Sequence, residues 1–429
     1  MDYSIAIIGG GASGLAAAVS AAGALRGDSV CVLERMDRVG KKLLATGNGR
    51  CNLSNMNLKI INYHGSDLSA AEVILNGFAP VDAIKFFYDA GLLCKVEDDG
   101  KIYPYCYQAS AVLDALRNTI ADAGVRTVVG FEAAKLEARG GGYAITARSG
   151  EEVTASKVIV AAGGLSYPSL GGSGSGMRLL KSLGHAVTPV APALAQLTAD
   201  DRAVKALAGI KFFGTLGVVS GGETIDRQTG EILFTDYGLS GIPALEASKY
   251  LYLRGGVSFY LDFMPDYSEE EIVSMLRERM RSRSDKTLEY FLSGLINKKI
   301  GFVLLKRTYG GVLSRPVSSL SDGDVIKLSR LIKTYSIEVT GARGWNGAQV
   351  TAGGVPLSEF TERLESKYAN GVYAAGEVLD VFGDCGGYNL HWAWASGRAA
   401  GTAAAETVLY ARDRHKINKN CGYIVDTRQ

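Results

Sequence analysis

Apolar and polar positions change period several times along the chain, and the changes divide it into regions. Residues 4–8 (Ser-Ile-Ala-Ile-Ile) form a short apolar run, the pattern of a strand buried on both faces. Residues 15–25 are almost all small or apolar, as suits a helix lying on a sheet, and 30–33 repeat the buried-strand pattern. Helical spacing returns over 82–92 and 109–123, and strands are expected at 125–129, 133–137 and 143–146. The last two read as a hairpin through Gly140-Gly141-Gly142. Residues 157–162 predict a further buried strand, and a helix follows from about 177 to 183.

Beyond Pro189 and Pro192 the character changes. Strands are expected at 212–220, 223–227 and 231–235, joined by glycine-containing turns, then amphipathic helices at 268–280, 286–297 and 322–334. A strand at 335–340 returns the chain to α/β character, with a strand at 372–375 and a long helix over 388–410. The pattern predicts one domain in two parts, 1–190 and 339–412, split by a β-rich insertion at 191–265 and 308–338. A helical piece at 266–307 and a polar tail at 413–429 complete the division.

Glycine changes this picture from architecture to chemistry. The chain has 54 glycines in 429 residues, clustered in short motifs, which points to backbone approaching a ligand closely. The first cluster follows the first strand at once: Gly9, Gly11 and Gly14 form G-x-G-x-x-G, with Ala12 and Ser13 opening the helix. The second strand ends in Glu34, twenty residues beyond Gly14, followed by Arg35. Strand, tight turn, helix, strand and acid together are the dinucleotide fingerprint. Glycines admit a pyrophosphate, the helix N-terminus attracts it, and a carboxylate accepts ribose hydroxyls. An acid at 34 disfavours a ribose phosphate there but does not separate NAD from FAD.

Two further clusters are candidates for contact with the same ligand. The stretch GKKLLATGNGRCNLSN, 40–55, is expected to form neither strand nor regular helix. The second cluster is a strand ending in Gly376-Glu377, followed by Cys385-Gly386-Gly387-Tyr388-Asn389 at the start of the last helix. Small residues at 395–401 would let that helix lie close to the nucleotide.

These blocks, with VIVAAGGLSYP, GEILFTDYGLSG and AQVTAGGV, run in one order over about 1–405. In them the chain resembles the aminoacetone-oxidase-family flavoproteins, bacterial NAD(P)/FAD-dependent oxidoreductases that include the 3-dehydro-bile-acid reductases. The resemblance implies an α/β fold: a two-part FAD-binding Rossmann-like domain with an inserted β-barrel-like domain carrying a small helical subdomain. It implies that Lys42, Thr46, Gly47, Asn48, Gly49, Arg50, Cys51 and Asn52 lie along FAD, together with Ala162, Gly163 and Gly164. The chain departs from the family pattern with Ser175 in place of an acid, Asp236 in place of a histidine, and His391 in place of a glutamine.

FAD supplies redox chemistry, so candidate side chains are those that manage protons: Tyr237, Asp236, His391 and Tyr388. Cys51 and Cys385 both fall in flavin-side motifs and are a candidate redox pair. No second complete dinucleotide motif is present, so NAD(P)H would dock transiently, as electron donor, over the flavin. Three functions fit: a reductase of a small enone-type molecule, an oxidase of an amine or alcohol, and an RNA-modifying or RNA-binding flavoprotein. The last rests on 277–307, where nine basic residues face three acidic ones. The chain as a whole carries a formal net charge of only +2, which disfavours a nucleic-acid partner and favours a small-molecule substrate. Six cysteines without a C-x-x-C pair or metal-like spacing, and no membrane-length apolar window, predict a cytoplasmic protein with reduced thiols and no metal.

Overall fold

The computed structural model describes residues 1–25 and 29–422, with side chains described through 414. The chain forms two compact units, Met1–Ala191 with Gln349–Gln429, and Pro192–Ala348.

The first unit is built on a sheet of β1 (Tyr3–Ile8), β2 (Val30–Glu34), β3 (Arg126–Val129), β4 (Ala133–Arg139), β5 (Gly142–Ala147), β6 (Glu152–Val160) and β7 (Val372–Ala374). Its order is β3-β2-β1-β6-β5-β4. The long strand β6 serves two layers. Its second half pairs in parallel with β1 and β7, while its first half pairs antiparallel with β5. β1, β2, β7 and the second half of β6 are buried residue after residue, the pattern of parallel strands covered on both faces. Helix α1 (Ala12–Ala24) leaves β1 through the glycine turn.

The remaining helices used below are α2 (Lys41–Ala45), α3 (Ser175–Ser182) and α4 (Tyr388–Gly422). α4 lies against α1 at backbone distance. A Cβ on Gly397 would stand 2.3 Å from the Ser13 carbonyl oxygen, and one on Gly401 would stand 2.4 Å from that of Ala17. The small residues expected to bring α4 near a nucleotide therefore bring it near α1. Two indoles on α4 also fasten loops from elsewhere. Trp394 Nε1 donates to the Leu53 carbonyl at 3.0 Å, and Trp392 Nε1 to that of Gly376 at 3.3 Å. α4 runs on to Gly422, through residues expected to be a polar tail; 423–429 lie outside the described residues.

The second unit is antiparallel. Its strands follow the order Tyr335–Ile337, Ser258–Asp262, Lys211–Ser220, Glu223–Phe234, Gly238–Ser240, Leu197–Ala199, Val339–Ala342. The two edge strands are joined through Glu338 alone, so the sheet must curl until its edges lie side by side. Two expectations fail in this unit. The turn expected between 227 and 231 is absent, because Gly230 pairs across the ladder with Gly214 inside one continuous strand. The helix expected at 286–297 is also absent. Leu288, Phe291 and Leu292 are buried as its apolar spacing implied, but Gly294 takes φ +83° and breaks the run. The helix forms instead at Lys298–Tyr309, where the Asn297 side chain accepts from Lys299 N.

The helix contact is directly testable. Gly401→Val should cost about 1–3 kcal/mol, because a side chain there is driven into backbone. Gly23→Ala on α1, whose Cβ would meet nothing within 4 Å, should raise stability by about 0.5–1 kcal/mol. Thermal unfolding of the two variants against the parent reads both signs.

Candidate functional site

The glycine turn after β1 divides its work among its glycines. Gly9 takes φ +109°, and a Cβ there would stand 2.4 Å from the Ala161 carbonyl oxygen. A Cβ on Gly14 would stand 1.8 Å from the Gly9 oxygen, so both are demanded by internal packing. Gly11 differs: a Cβ there would meet nothing within 4 Å. The turn is open on that side, and α1 begins there with Gly11 as N-cap and no side chain capping it. An uncapped helix start above an open glycine is a cradle for an anion. Gly163 is open in the same sense, with φ +70°, whereas Gly164 is closed by the Thr351 side chain.

Glu34 is buried and held by this turn. Its Oε2 accepts from Gly10 N at 2.8 Å and its Oε1 from Met36 N at 2.7 Å, leaving one acceptor site on each oxygen. Arg35 beside it is half-buried.

The 40–55 stretch is more ordered than its composition implied. It forms the short helix α2 and then a turn in which Gly47, Asn48, Gly49 and Cys51 all have positive φ. Thr46 Oγ1 donates to the Leu43 carbonyl, and Gly47 through Arg50 are exposed. The Arg50 guanidinium lies over the Tyr103 ring at 5.2 Å.

Lys42 and Glu377 were expected to contact the cofactor separately; the structure joins them. Lys42 Nζ lies 2.6 Å from Glu377 Oε2 and 2.5 Å from Ser166 Oγ. Glu377 Oε1 accepts from Ser166 Oγ at 2.8 Å and from Thr351 N at 2.7 Å. Four segments thus meet in one network, and no sequence spacing signals it.

At the start of α4, Gly386 and Gly387 have φ of +128° and +102°. A Cβ on Gly387 would stand 2.5 Å from the Ser54 carbonyl and 2.8 Å from Asn52 Oδ1. That Asn52 oxygen is buried and accepts no hydrogen bond among the described residues. A buried orphan acceptor beside a glycine-lined helix start awaits an N–H donor from outside the chain. Asn389 is spent internally: its amide closes the turn on Gly383 N and O, each at 2.7 Å. Tyr388 is buried, and its carbonyl accepts from Tyr63 Oη.

The proton-handling candidates separate. Asp236 and Tyr237 sit at a tight turn of the second unit, where Tyr237 lies under the Arg343 guanidinium at 4.4 Å. His391 is corrected: it is fully buried, with Nδ1 2.7 Å from Ser54 Oγ and Nε2 2.8 Å from the Phe78 carbonyl. Burial pushes the imidazole down to about 4, so at neutral pH it is an uncharged packing group with no nitrogen to offer a substrate. Of the two candidate cysteines, Cys51 is unsuited to act as a thiolate, because burial pushes its thiol up to about 12.

One pair was missed. His64 Nε2 lies 2.7 Å from Asp384 Oδ1, both side chains being 18% exposed, while Nδ1 makes no hydrogen bond among the described residues. His64 pairs with Phe382, five residues before Gly387, and thus stands beside the start of α4. His64 and Asp384 are 320 residues apart in sequence; the Tyr63–His64 and Phe382–Gly383 bridge, with Asp384 N donating to the Asn62 carbonyl at 2.9 Å, brings them together.

With this geometry in view, the comparisons with known proteins decide the family. The sequence model described as HI0933-like protein Rossmann domain matches residues 3–403. The chain belongs to this family. It is an FAD-dependent oxidoreductase. It is 38% identical over 409 residues to a 3-dehydro-bile acid delta(4,6)-reductase of Clostridium scindens, covering 94% of this chain and 99% of that one. It is 28% identical over 401 residues to a ribosomal RNA dihydrouridine synthase of Haemophilus influenzae, covering 92% and 96%. Among solved structures it resembles an open-conformation flavocytochrome c3 fumarate reductase, with a TM-score of 0.49, 15% identity, and 95% and 78% coverage. The described residues include no helix long and apolar enough to cross a membrane and no cluster suited to a metal.

Two outcomes follow from the buried groups. The folded state holds His391 near 4, below the ordinary value of about 6.5, so the unfolded chain takes up the proton first. Stability should therefore be complete above pH ~6.5 and fall by up to roughly 3 kcal/mol as pH drops toward 4. His391→Gln should flatten part of that fall in pH-dependent thermal unfolding. Alkylation at pH ~8 followed by peptide mass spectrometry should label exposed Cys106 in the native protein, and Cys51 only after unfolding.

Proposed function

We propose that the protein is an NAD(P)H-driven, FAD-dependent reductase that saturates a carbon–carbon double bond conjugated to a carbonyl in an apolar ring substrate. The observation that carries the reading is the orphaned Asn52 Oδ1 beside Gly387, in the same unit as the open cradle at Gly11. The cradle suits a pyrophosphate. The Asn52 acceptor suits the N–H on the pyrimidine edge of a flavin. FAD, when bound, supplies the hydride.

The chain's own residues supply the rest. Gly9, Gly11, Ala12, Ser13 and Gly14 hold the diphosphate, and the remaining acceptor sites of Glu34 take ribose hydroxyls. The 46–52 turn, with Ala162 and Gly163, lines the cofactor. Lys42 and Glu377 hold the α2 loop to the β7 end while Asn52, Gly386 and Gly387 meet the ring. His64, oriented by Asp384, is the imidazole with a free nitrogen, and it replaces His391 as the group that delivers a proton.

Substrate class rests on the relatives. The names of both the 38%-identical bile-acid reductase and the 28%-identical RNA enzyme denote saturation of a double bond. The small-molecule reading is preferred because the 38%-identical relative is named for a bile-acid substrate and the chain's formal net charge is only +2. Within the basic stretch Arg277 pairs with Asp322 through two 2.6 Å bonds, the Arg279 guanidinium binds the carbonyls of Phe291 and Ser293, and Lys286 pairs with Asp285.

The test is anaerobic. The holoprotein's flavin should bleach on adding NADH or NADPH and recover its colour on adding a cyclic enone. His64→Gln should retain its flavin but slow the recovery about 100-fold. A flavin that resists both nucleotides but is bleached by an amine or alcohol, with peroxide formed in air, would establish the oxidase instead.

A further inference from the structure

The electron donor needs a place of its own, since the chain carries one dinucleotide motif and FAD takes it. An open hollow of about 520 Å³ lies beside the cofactor turn. Arg50 enters it from that turn; Asp98, Asp99, Lys101, Tyr103 and Tyr107 line the opposite side. All but Arg50 come from the hairpin of Cys94–Val96 and Lys101–Pro104 and the residues after it.

The charges there are not equally spent. Lys101 pairs with Asp99, and Lys95 lies 3.5 Å from Glu97, which also accepts from the Tyr107 hydroxyl. Lys101 holds the Asp99 carboxyl below its usual range, and Tyr107 with Lys95 does the same for Glu97, so both are ionised at neutral pH. Asp98 is exposed and makes no hydrogen bond among the described residues. Arg50 pairs with no carboxylate among them: it stacks on Tyr103 and makes one long bond, Nε to the Gly47 carbonyl at 3.5 Å.

The rings of Tyr103 and Tyr107 lie 5.6 Å apart at 44°, forming an aromatic corner in which Tyr103 is buried beneath Arg50 and Tyr107 carries the Lys95 ammonium at 5.3 Å. Tyr107 is held at φ +54°, a conformation that costs a non-glycine residue about 1–2 kcal/mol. Strain of this kind collects where a side chain must be aimed at a ligand.

One unpaired guanidinium, one aromatic corner and one free carboxylate match a diphosphate, a flat ring and a ribose diol. We propose that this hollow is the docking site of the reducing pyridine nucleotide, and that it selects NADH over NADPH. The proposal rests on the nicotinamide-driven reading above. Arg50 meets the diphosphate, Tyr103 and Tyr107 take a ring, and Asp98 accepts the ribose hydroxyls. The volume suits one nucleoside half, the other half reaching along the turn toward the flavin. The 2′-phosphate of NADPH would bring further negative charge against the unpaired Asp98 carboxylate, whereas the free diol of NADH brings donors. In the step served, NADH would give up a hydride to FAD held in this unit and leave as NAD⁺, with water supplying the accompanying proton. The same hydride equivalent and a proton then saturate the substrate's double bond.

Rapid anaerobic mixing of the holoprotein with each nucleotide tests this, with dithionite as a reductant that needs no nucleotide site. The parent should bleach with NADH at half-saturation at least about tenfold below that for NADPH. Tyr107→Ala and Arg50→Gln should each raise the NADH half-saturation about tenfold, the loss expected from one stacking or charged contact. Asp98→Asn, at an exposed position that threatens neither folding nor flavin content, should narrow the preference for NADH. Half-saturation unchanged in all three variants, or a parent that prefers NADPH, would overturn the site while leaving the nicotinamide-driven reading intact. A parent bleached by dithionite and by neither nucleotide would overturn that reading, and the docking site with it.

Discussion

The contact between α1 and α4 is the constraint on which the first unit depends. Gly397 and Gly401 remove the side chains that would hold the two helices a full interaxial distance apart. The α4 backbone can then touch α1 at Ser13 and Ala17, so a helix from the end of the chain lies on the helix that follows its first strand. Each helix begins at a glycine turn, one at Gly9–Gly14 and the other at Gly386-Gly387. Packing them closely sets both turns within the same unit, and Gly376 completes the join with a Cβ position only 2.4 Å from Ser13 Oγ.

Charge then secures what packing brings near. The pair between Lys42 and Glu377 is partly exposed, at 30% and 20%, so its worth as an isolated bridge is small. Its value lies in connectivity. With Ser166 and Thr351 it ties α2, the segment after β6, and the end of β7 to one carboxylate. The turn at 46–51, with its run of left-handed residues, hangs from the end of α2 that this network anchors. A loop made of such strained residues would otherwise sample many shapes, and one shape is what a flat cofactor requires.

Histidine illustrates how environment overrides residue type. His185 is buried with Nδ1 on Glu359 and Nε2 on Ser366, and its ring stacks on Phe360 at 4.7 Å. His391 is likewise closed on both nitrogens. Each is a polar brace in an apolar interior, satisfied on both sides as buried groups must be. His64 has the same side chain but stands at a short two-strand bridge near the surface, with one nitrogen committed and one free. Only the last arrangement leaves a group able to exchange a proton.

By itself the sequence determined the elements whose pattern is local. The buried strands, the glycine turn, Glu34 at the end of β2, the hairpin through Gly140–Gly142 and the glycine-marked start of α4 all follow from period, turn chemistry and spacing within a few dozen residues. The order of the motif blocks likewise determined the family and its cofactor. Tertiary structure decided everything that depends on which distant residues meet. It paired Lys42 with Glu377, buried His391, brought Asp384 to His64, and left the Asn52 oxygen without a partner among the described residues. It turned Gly230 into a ladder residue opposite Gly214 and let Gly294 break a helix whose apolar spacing was sound. The physical reason is the same in each case. A periodicity records which face of an element is apolar, but not what that face will touch, and the state of a polar group is set by its neighbours in space.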